Sequence, residues 1–226
     1  MTRIVRTVVE DGKSLSLRER DGVLDLLLGH VVLLSSAALG TELEFGRLAR
    51  DAINAECMDC TIVIGGLGFG ATLRGVLEVA PSNARVVVVE KLRTVIDVAR
   101  NEAASLVGGA LDDPRVVLEN ADVADVIARE REVSAILLDV DNGPSWASFR
   151  GNARLYEASA LEAAKAALRS GGHYAVWSGS AQDAFVGKLR RAGFTARVVP
   201  LAEANGVVRA RAYVGINEKV TDRAPR

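Results

Sequence analysis

The sequence has only two cysteines, two histidines and five prolines in 226 residues, and these shortages exclude several chemistries. Cys57 and Cys60 form one CxxC with no second pair and no nearby histidine, so a closed four-ligand zinc site cannot be assembled from neighbouring positions. Two reduced thiols are the expectation there, and no metal site is expected. The apolar run at 23–34 is interrupted by Asp25 and His30, so it falls short of the roughly 18 apolar residues that a membrane helix needs. No leading apolar signal region is seen either, which points to a cytoplasmic protein. Neither sign of charge is in excess: 28 Lys and Arg against 29 Asp and Glu produce no field that would draw the chain to nucleic acid or a membrane surface. Internal repeats and low-complexity segments are absent. What is abundant is apolar residues, at 49%, enough for one substantial domain with a small appendage.

The most informative stretch is TIVIGGLGFGATLRGVLEVAPSNARVVVVE, residues 61–90. It reads as an apolar strand at 61–64, a turn carrying Gly65, Gly66, Gly68 and Gly70, a helix at 71–79, and a second strand at 85–89 ending on Glu90. Glycines in such a turn let the backbone reverse sharply and approach a ligand closely, and an acid at the end of the next strand can accept both hydroxyls of a ribose. Glu90 stands twenty residues after Gly70, at the end of a run of four valines. The unit predicts a nucleoside-binding half-site. The glycines are not followed by Lys and then Ser or Thr, which argues against a phosphate-cradling P-loop.

On either side of this unit the pattern changes. Residues 1–36 predict a small antiparallel β unit, because LSLRER alternates, Asp21-Gly22 is a two-residue hairpin signal, and VLDLLL continues beyond it. A helix is expected at 41–55, with Thr41 as N-cap and Glu44 completing a capping box. From residue 61 short apolar strands alternate with amphipathic helices, which predicts a parallel sheet covered on both faces. Further strands are expected at 115–120, 134–140 and 173–178, with helices at 95–106, 123–130, 152–168 and 182–192. A final pair of strands flanks Asn205-Gly206 and is expected to be antiparallel. Five parallel strands followed by a terminal hairpin give the class I methyltransferase-like, Rossmann-like α/β fold, with a mostly parallel seven-stranded sheet. The boundaries expected are 1–55 for the N-terminal β unit and linking helix, 56–217 for the nucleoside-binding domain, and 218–226 for a frayed tail. The apolar N-terminal unit makes a homodimer an expectation.

In open parallel sheets ligands sit outside the carboxyl ends of the strands. Read in order, those ends offer the glycine turn, Glu90, Asp122, and Asp139 with Asp141. Asp122 reads either as a helix cap or as an acceptor for an adenine amine. Asp139 and Asp141, in DVDNGPSW, can attract a cationic amine and take its proton when it attacks an electrophile. The alternative is that residues 142–144 form a plain turn and Asp139 caps a loop.

These motifs together resemble the spermidine synthases (polyamine aminopropyltransferases), most closely their short bacterial relatives. The resemblance rests on IVIGGLGFGATLR, VVVVE, DDPRVVLENAD, AILLDVDNGP, LYEASALEAAKAALRSGG and AVWS, and spans residues 15–216. It implies a decarboxylated S-adenosylmethionine donor, a diamine acceptor and methylthioadenosine as by-product. It also implies ribose binding by Glu90, adenine binding by Asp122, a base in Asp139 and amine holding by Asp141. Tyr156 falls where such enzymes often have a tyrosine, without an assigned role. Two departures stand out. The glycine turn has Phe69 where the family has an aspartate facing the donor's amino group. The acceptor-side segment TELEFGR has Phe45 for a tyrosine and Arg47 for an acid. These changes keep open an S-adenosylmethionine-dependent methyltransferase and a non-catalytic nucleoside-binding protein.

Overall fold

The computed structural model describes residues 2–53, 60–140 and 150–218. Four strands open the chain as an antiparallel meander in the order β1 (Thr2–Glu10), β2 (Lys13–Arg20), β3 (Val23–Leu28) and β4 (Val31–Ser35). Its first two turns are Asp11-Gly12 and Asp21-Gly22, with both residues of each at positive φ, the backbone that matches the twist of a two-residue hairpin. Leu15, Leu17, Leu26 and Leu27 turn inward and are buried, whereas Val31 and Val32 on the edge strand remain exposed. β1 extends the unit beyond what the alternation at 15–35 indicates. Most of its residues are exposed or half-buried on both faces, so it carries no period-two signal.

The second sheet has seven strands in the order β10, β11, β9, β8, β5, β6, β7. β5 (Thr61–Gly65), β6 (Arg85–Glu90), β7 (Val116–Asn120), β8 (Val133–Leu138) and β9 (Leu168–Ser178) pair in parallel, and β11 (Val208–Ile216) lies antiparallel between β9 and β10 (Thr195–Ala202). Alternate residues feed two separate cores: Ile62, Ile64, Val86 and Val88 on one face, Val63, Val87 and Val89 on the other. Strands covered on both faces must be apolar throughout, which is why β6 is a valine run. The order reverses at β5, whose neighbours are β8 and β6, and this switch point opens a crevice at the strand ends. Among the described residues no helix is long and apolar enough to cross a membrane.

The helices are α1 (Leu39–Arg47), α2 (Ala71–Val79), α3 (Arg93–Arg100), the single turn α4 (Ala104–Val107), α5 (Val123–Arg129), α6 (Ala158–Ala167) and α7 (Asp183–Arg191). Several differ from the sequence reading. Thr41 lies inside α1 rather than capping it, buried, with Trp177 Nε1 donating to its hydroxyl at 3.3 Å. The helix expected at 95–106 is broken at Asn101 into α3 and α4, and that expected at 152–168 becomes a 3-10 segment, Arg150–Tyr156, followed by α6. Cys60 is disulfide-bonded and wholly buried at the entry to β5, correcting the expectation of a reduced thiol. Cys57 lies outside the described residues.

α1 crosses α2 at a pair of glycines. A Cβ on Gly46 would lie 2.2 Å from the Thr72 carbonyl oxygen, and one on Gly75 would lie 2.1 Å from that of Leu43. Only hydrogen fits at either position, so the two backbones touch. Arg47 spans the same crossing to Glu78 of α2 at 2.7 Å and also pairs with Glu44 on its own helix. This close approach brings the first turn of α1 over the strand ends of the main sheet.

A candidate active site at the sheet's switch point

The glycine turn is held to both neighbouring strands. Gly66 N donates to the Val89 carbonyl at 2.8 Å, and Asp139 N donates to the Gly65 carbonyl at 2.8 Å. A Cβ on Gly66, which has φ +94°, would lie 2.1 Å from the Asp139 carbonyl oxygen, so the turn and the end of β8 meet only because that side chain is missing. Gly70, at φ +80°, caps the start of α2. The result is a cavity floored by Gly66 and Gly68 and bordered by Glu90, Asp122 and Asp139, with Leu33 and Leu34 of β4 forming one wall. The small β unit thus contributes directly to the site.

Glu90 is 8% exposed. Its Oε2 accepts from Leu67 N at 2.9 Å and its Oε1 from Leu92 N at 2.8 Å, joining the glycine turn to the start of α3. Burial raises its pKa despite these donors. Asp122 serves as the N-cap of α5, accepting from Ala124 N at 3.0 Å. Its other oxygen accepts from Lys91 Nζ at 3.1 Å and from Arg154. Burial works against its charge, but Ala124, Lys91 and Arg154 outweigh it and hold the carboxyl below its usual value. Asp122 therefore caps α5, as one reading expects, and it also lines the cavity.

The opposite end of the cavity is different. Asp139 accepts from the Thr72 hydroxyl at 2.5 Å, and burial pushes its pKa up to about 6. Glu42, in the first turn of α1, faces Asp139. Its pKa is raised well above the usual value, first by burial, then by the negative charges of Asp139 and Glu203. Glu203 arrives from the end of β10. Its Oε2 sits against Gly40, where an added Cβ would lie 2.0 Å away. Among the described residues no Lys or Arg forms an ion pair with Glu42, Asp139 or Glu203. Burial disfavours the charge of Asp139 and of Glu42, and the neighbouring carboxylates add to that cost at Glu42, so a cationic amine bound between these two would relieve it.

Of the residues singled out in the sequence, Gly66, Gly68, Glu90, Asp122 and Asp139 come together at one cavity, with Gly65 and Gly70 closing the turn. Asp141 lies outside the described residues. Tyr156 does not reach the cavity: it is buried, edge-on to Phe185 with ring centroids 5.8 Å apart. Phe45 and Phe69, the two apolar departures, are both in the hydrophobic core. Glu42 and Glu203 are the acids the sequence reading misses. The signal for Glu42 was the TELEFGR segment itself; Glu203 has none beyond its place two residues before Asn205-Gly206.

No family model matches the chain, and no curated protein does. Solved structures do resemble it. A spermidine synthase in complex with the transition-state analogue AdoDATO is 17% identical, with 95% of this chain and 72% of that one covered and a TM-score of 0.73. A spermidine synthase from Thermotoga maritima is 18% identical over 95% of this chain and 73% of that one, with a TM-score of 0.74. A methyltransferase from Geobacter sulfurreducens is 20% identical over 78% and 79%, with a TM-score of 0.54. At such identities the likeness establishes the fold: a class I methyltransferase-like α/β sheet preceded by a four-stranded antiparallel unit.

Proposed function

We propose that the chain transfers an aminopropyl group from decarboxylated S-adenosylmethionine to a diamine such as putrescine, releasing methylthioadenosine. The observation that carries this reading is the group of carboxylates formed by Asp139, Glu42 and Glu203, with which no Lys or Arg among the described residues forms an ion pair, and which adjoins the cavity bordered by the glycine turn, Glu90 and Asp122. In this reading the glycine turn at Gly65, Gly66, Gly68 and Gly70 meets the donor's backbone-facing side, Glu90 binds its ribose, and Asp122 faces the adenine amine. Asp141 is assigned to the amine by resemblance alone.

The chemistry required of the protein is modest. The acceptor amine must lose a proton, because free alkyl amines are protonated near neutral pH. Asp139, with its pKa raised to about 6, is a stronger base than an ordinary carboxylate and takes that proton. The nitrogen lone pair attacks the propyl carbon beside the sulfonium, in line with the carbon–sulfur bond. That bond breaks, its electron pair stays on sulfur, and neutral methylthioadenosine leaves. Holding both reactants in line supplies most of the acceleration.

One observation favours a second reading. Leu67 and Phe69 of the glycine turn are buried and apolar, so the turn offers no acid to the donor's amino group and would tolerate the carboxylate of intact S-adenosylmethionine. A methyltransferase is then the alternative. Incubation with putrescine and each donor separates them: methylthioadenosine released only from the decarboxylated donor supports aminopropyl transfer. S-adenosylhomocysteine released from the intact donor contradicts it.

A further inference from the structure

α3 begins directly after Glu90, and its own cap residue, Leu92, has no side chain that can satisfy the free N–H groups of the first turn. Those groups are met from elsewhere. Glu10, at the end of β1, accepts from Arg93 N at 2.7 Å and from Thr94 N at 3.0 Å. Burial alone would raise the Glu10 pKa, but these donors and the Arg93 charge hold it below its usual value, so Glu10 stays charged at the positive end of the helix. Arg6, on the same strand, reaches Asp97 at 3.7 Å and Glu102 at 3.6 Å, so β1 is tied to the α3 region at several points.

The amide immediately before these two belongs to Leu92, and it donates to Glu90 Oε1 at 2.8 Å. Three consecutive amides are therefore divided between two carboxylates, one from each sheet. The second oxygen of Glu90 continues the chain of contacts to Leu67 in the glycine turn. Leu92 and Val95 also line the cavity, so a shift of the 92–94 segment would move both the cavity wall and the partner of Glu90.

We infer that Glu10 is a positioning residue for the nucleoside half of the cavity, acting through residues 92–94 on Glu90. The inference rests on the reading of Glu90 as the ribose acid. It makes the N-terminal β unit a working part of the site: Leu33 and Leu34 supply a wall, and Glu10 fixes the carboxylate opposite the glycine turn.

The test is a calorimetric titration with methylthioadenosine across a cycle of wild type, Glu10→Ala, Glu90→Ala and the double variant. Glu10→Ala should weaken binding by roughly three- to tenfold, since the competent arrangement is then only a fraction of the population. Glu10→Gln keeps one acceptor oxygen and should lose less; it carries the same cycle if the alanine variant does not fold. In the Glu90→Ala background, removing Glu10 should change affinity by less than about twofold, because the residue through which it acts is gone. Equal affinity of wild type and Glu10→Ala would overturn the inference. So would the same fold-loss in both backgrounds, the mark of general loosening rather than positioning. A wild-type protein that binds no nucleoside would remove the reading of the cavity itself, a result distinct from either.

Discussion

The two ends of the cavity treat carboxylates in opposite ways. At the end formed by the glycine turn and the close of β6, Glu90 is gripped by two backbone amides and Asp122 by an amide, a lysine and an arginine. At the other end, Asp139 has one hydroxyl, and Glu42 has two neighbouring carboxylates. The first arrangement is complete within the protein, and its acids shape the cavity. The second is electrostatically unfinished, and a buried charge without a partner is costly enough to require a reason. In the proposed function a cationic substrate supplies that reason, and each of the following experiments tests the contrast.

The largest effect is expected from Asp139→Asn. Turnover should fall by roughly a hundredfold or more, with methylthioadenosine affinity nearly unchanged by calorimetry. Equal losses in rate and affinity would put Asp139 on the structural side and erase the contrast. Glu90→Ala should do the reverse, weakening methylthioadenosine by about 1 to 3 kcal/mol. Unchanged affinity would move the ribose site elsewhere.

Stability against pH should separate the two ends by sign. The folded pKa of Asp139, about 6, lies above its ordinary value of 3.8. Between those values the folded protein holds more proton than the unfolded chain, so this group's stabilising contribution is lost as pH rises through that window. Asp139→Asn removes the cost and should raise the melting temperature of the unliganded protein at pH 7.5, by roughly 1 to 3 kcal/mol in stability. Asp122, whose pKa is lowered, should behave oppositely: its contribution is present above the ordinary value and lost as pH falls through the folded one. A lowered melting temperature for Asp139→Asn would contradict the account of that end. The smallest effect belongs to Arg154→Ala, which removes one partly exposed ion pair of Asp122 and should cost less than about 1 kcal/mol in either stability or nucleoside affinity.

Much of this was legible in the sequence because it is local. Glu90, Asp122 and Asp139 each stand just beyond an apolar run, and a strand end can be located from its own residues. The glycine turn shows itself through spacing alone. Glu42 and Glu203 could not be read this way: they reach Asp139 only because α1 crosses α2 on two glycines and the last hairpin folds back beside Gly40. Glu10 was hidden for the same reason, since its partners Arg93 and Thr94 lie on the far side of the first half-site. Helix ends were legible to the extent that side chains cap them. α5 begins at Asp122 as expected, whereas the 152–168 helix dissolves into a 3-10 segment and a shorter helix whose cap residue, Glu157, makes no side-chain cap.

The most direct test of the central claim is a calorimetric titration of putrescine into the protein saturated with methylthioadenosine, repeated with Glu42→Gln. The account predicts saturable binding by the wild type and clear weakening in the variant, as the amine replaces the missing counter-cation. Absence of binding, or equal binding by both proteins, would contradict it.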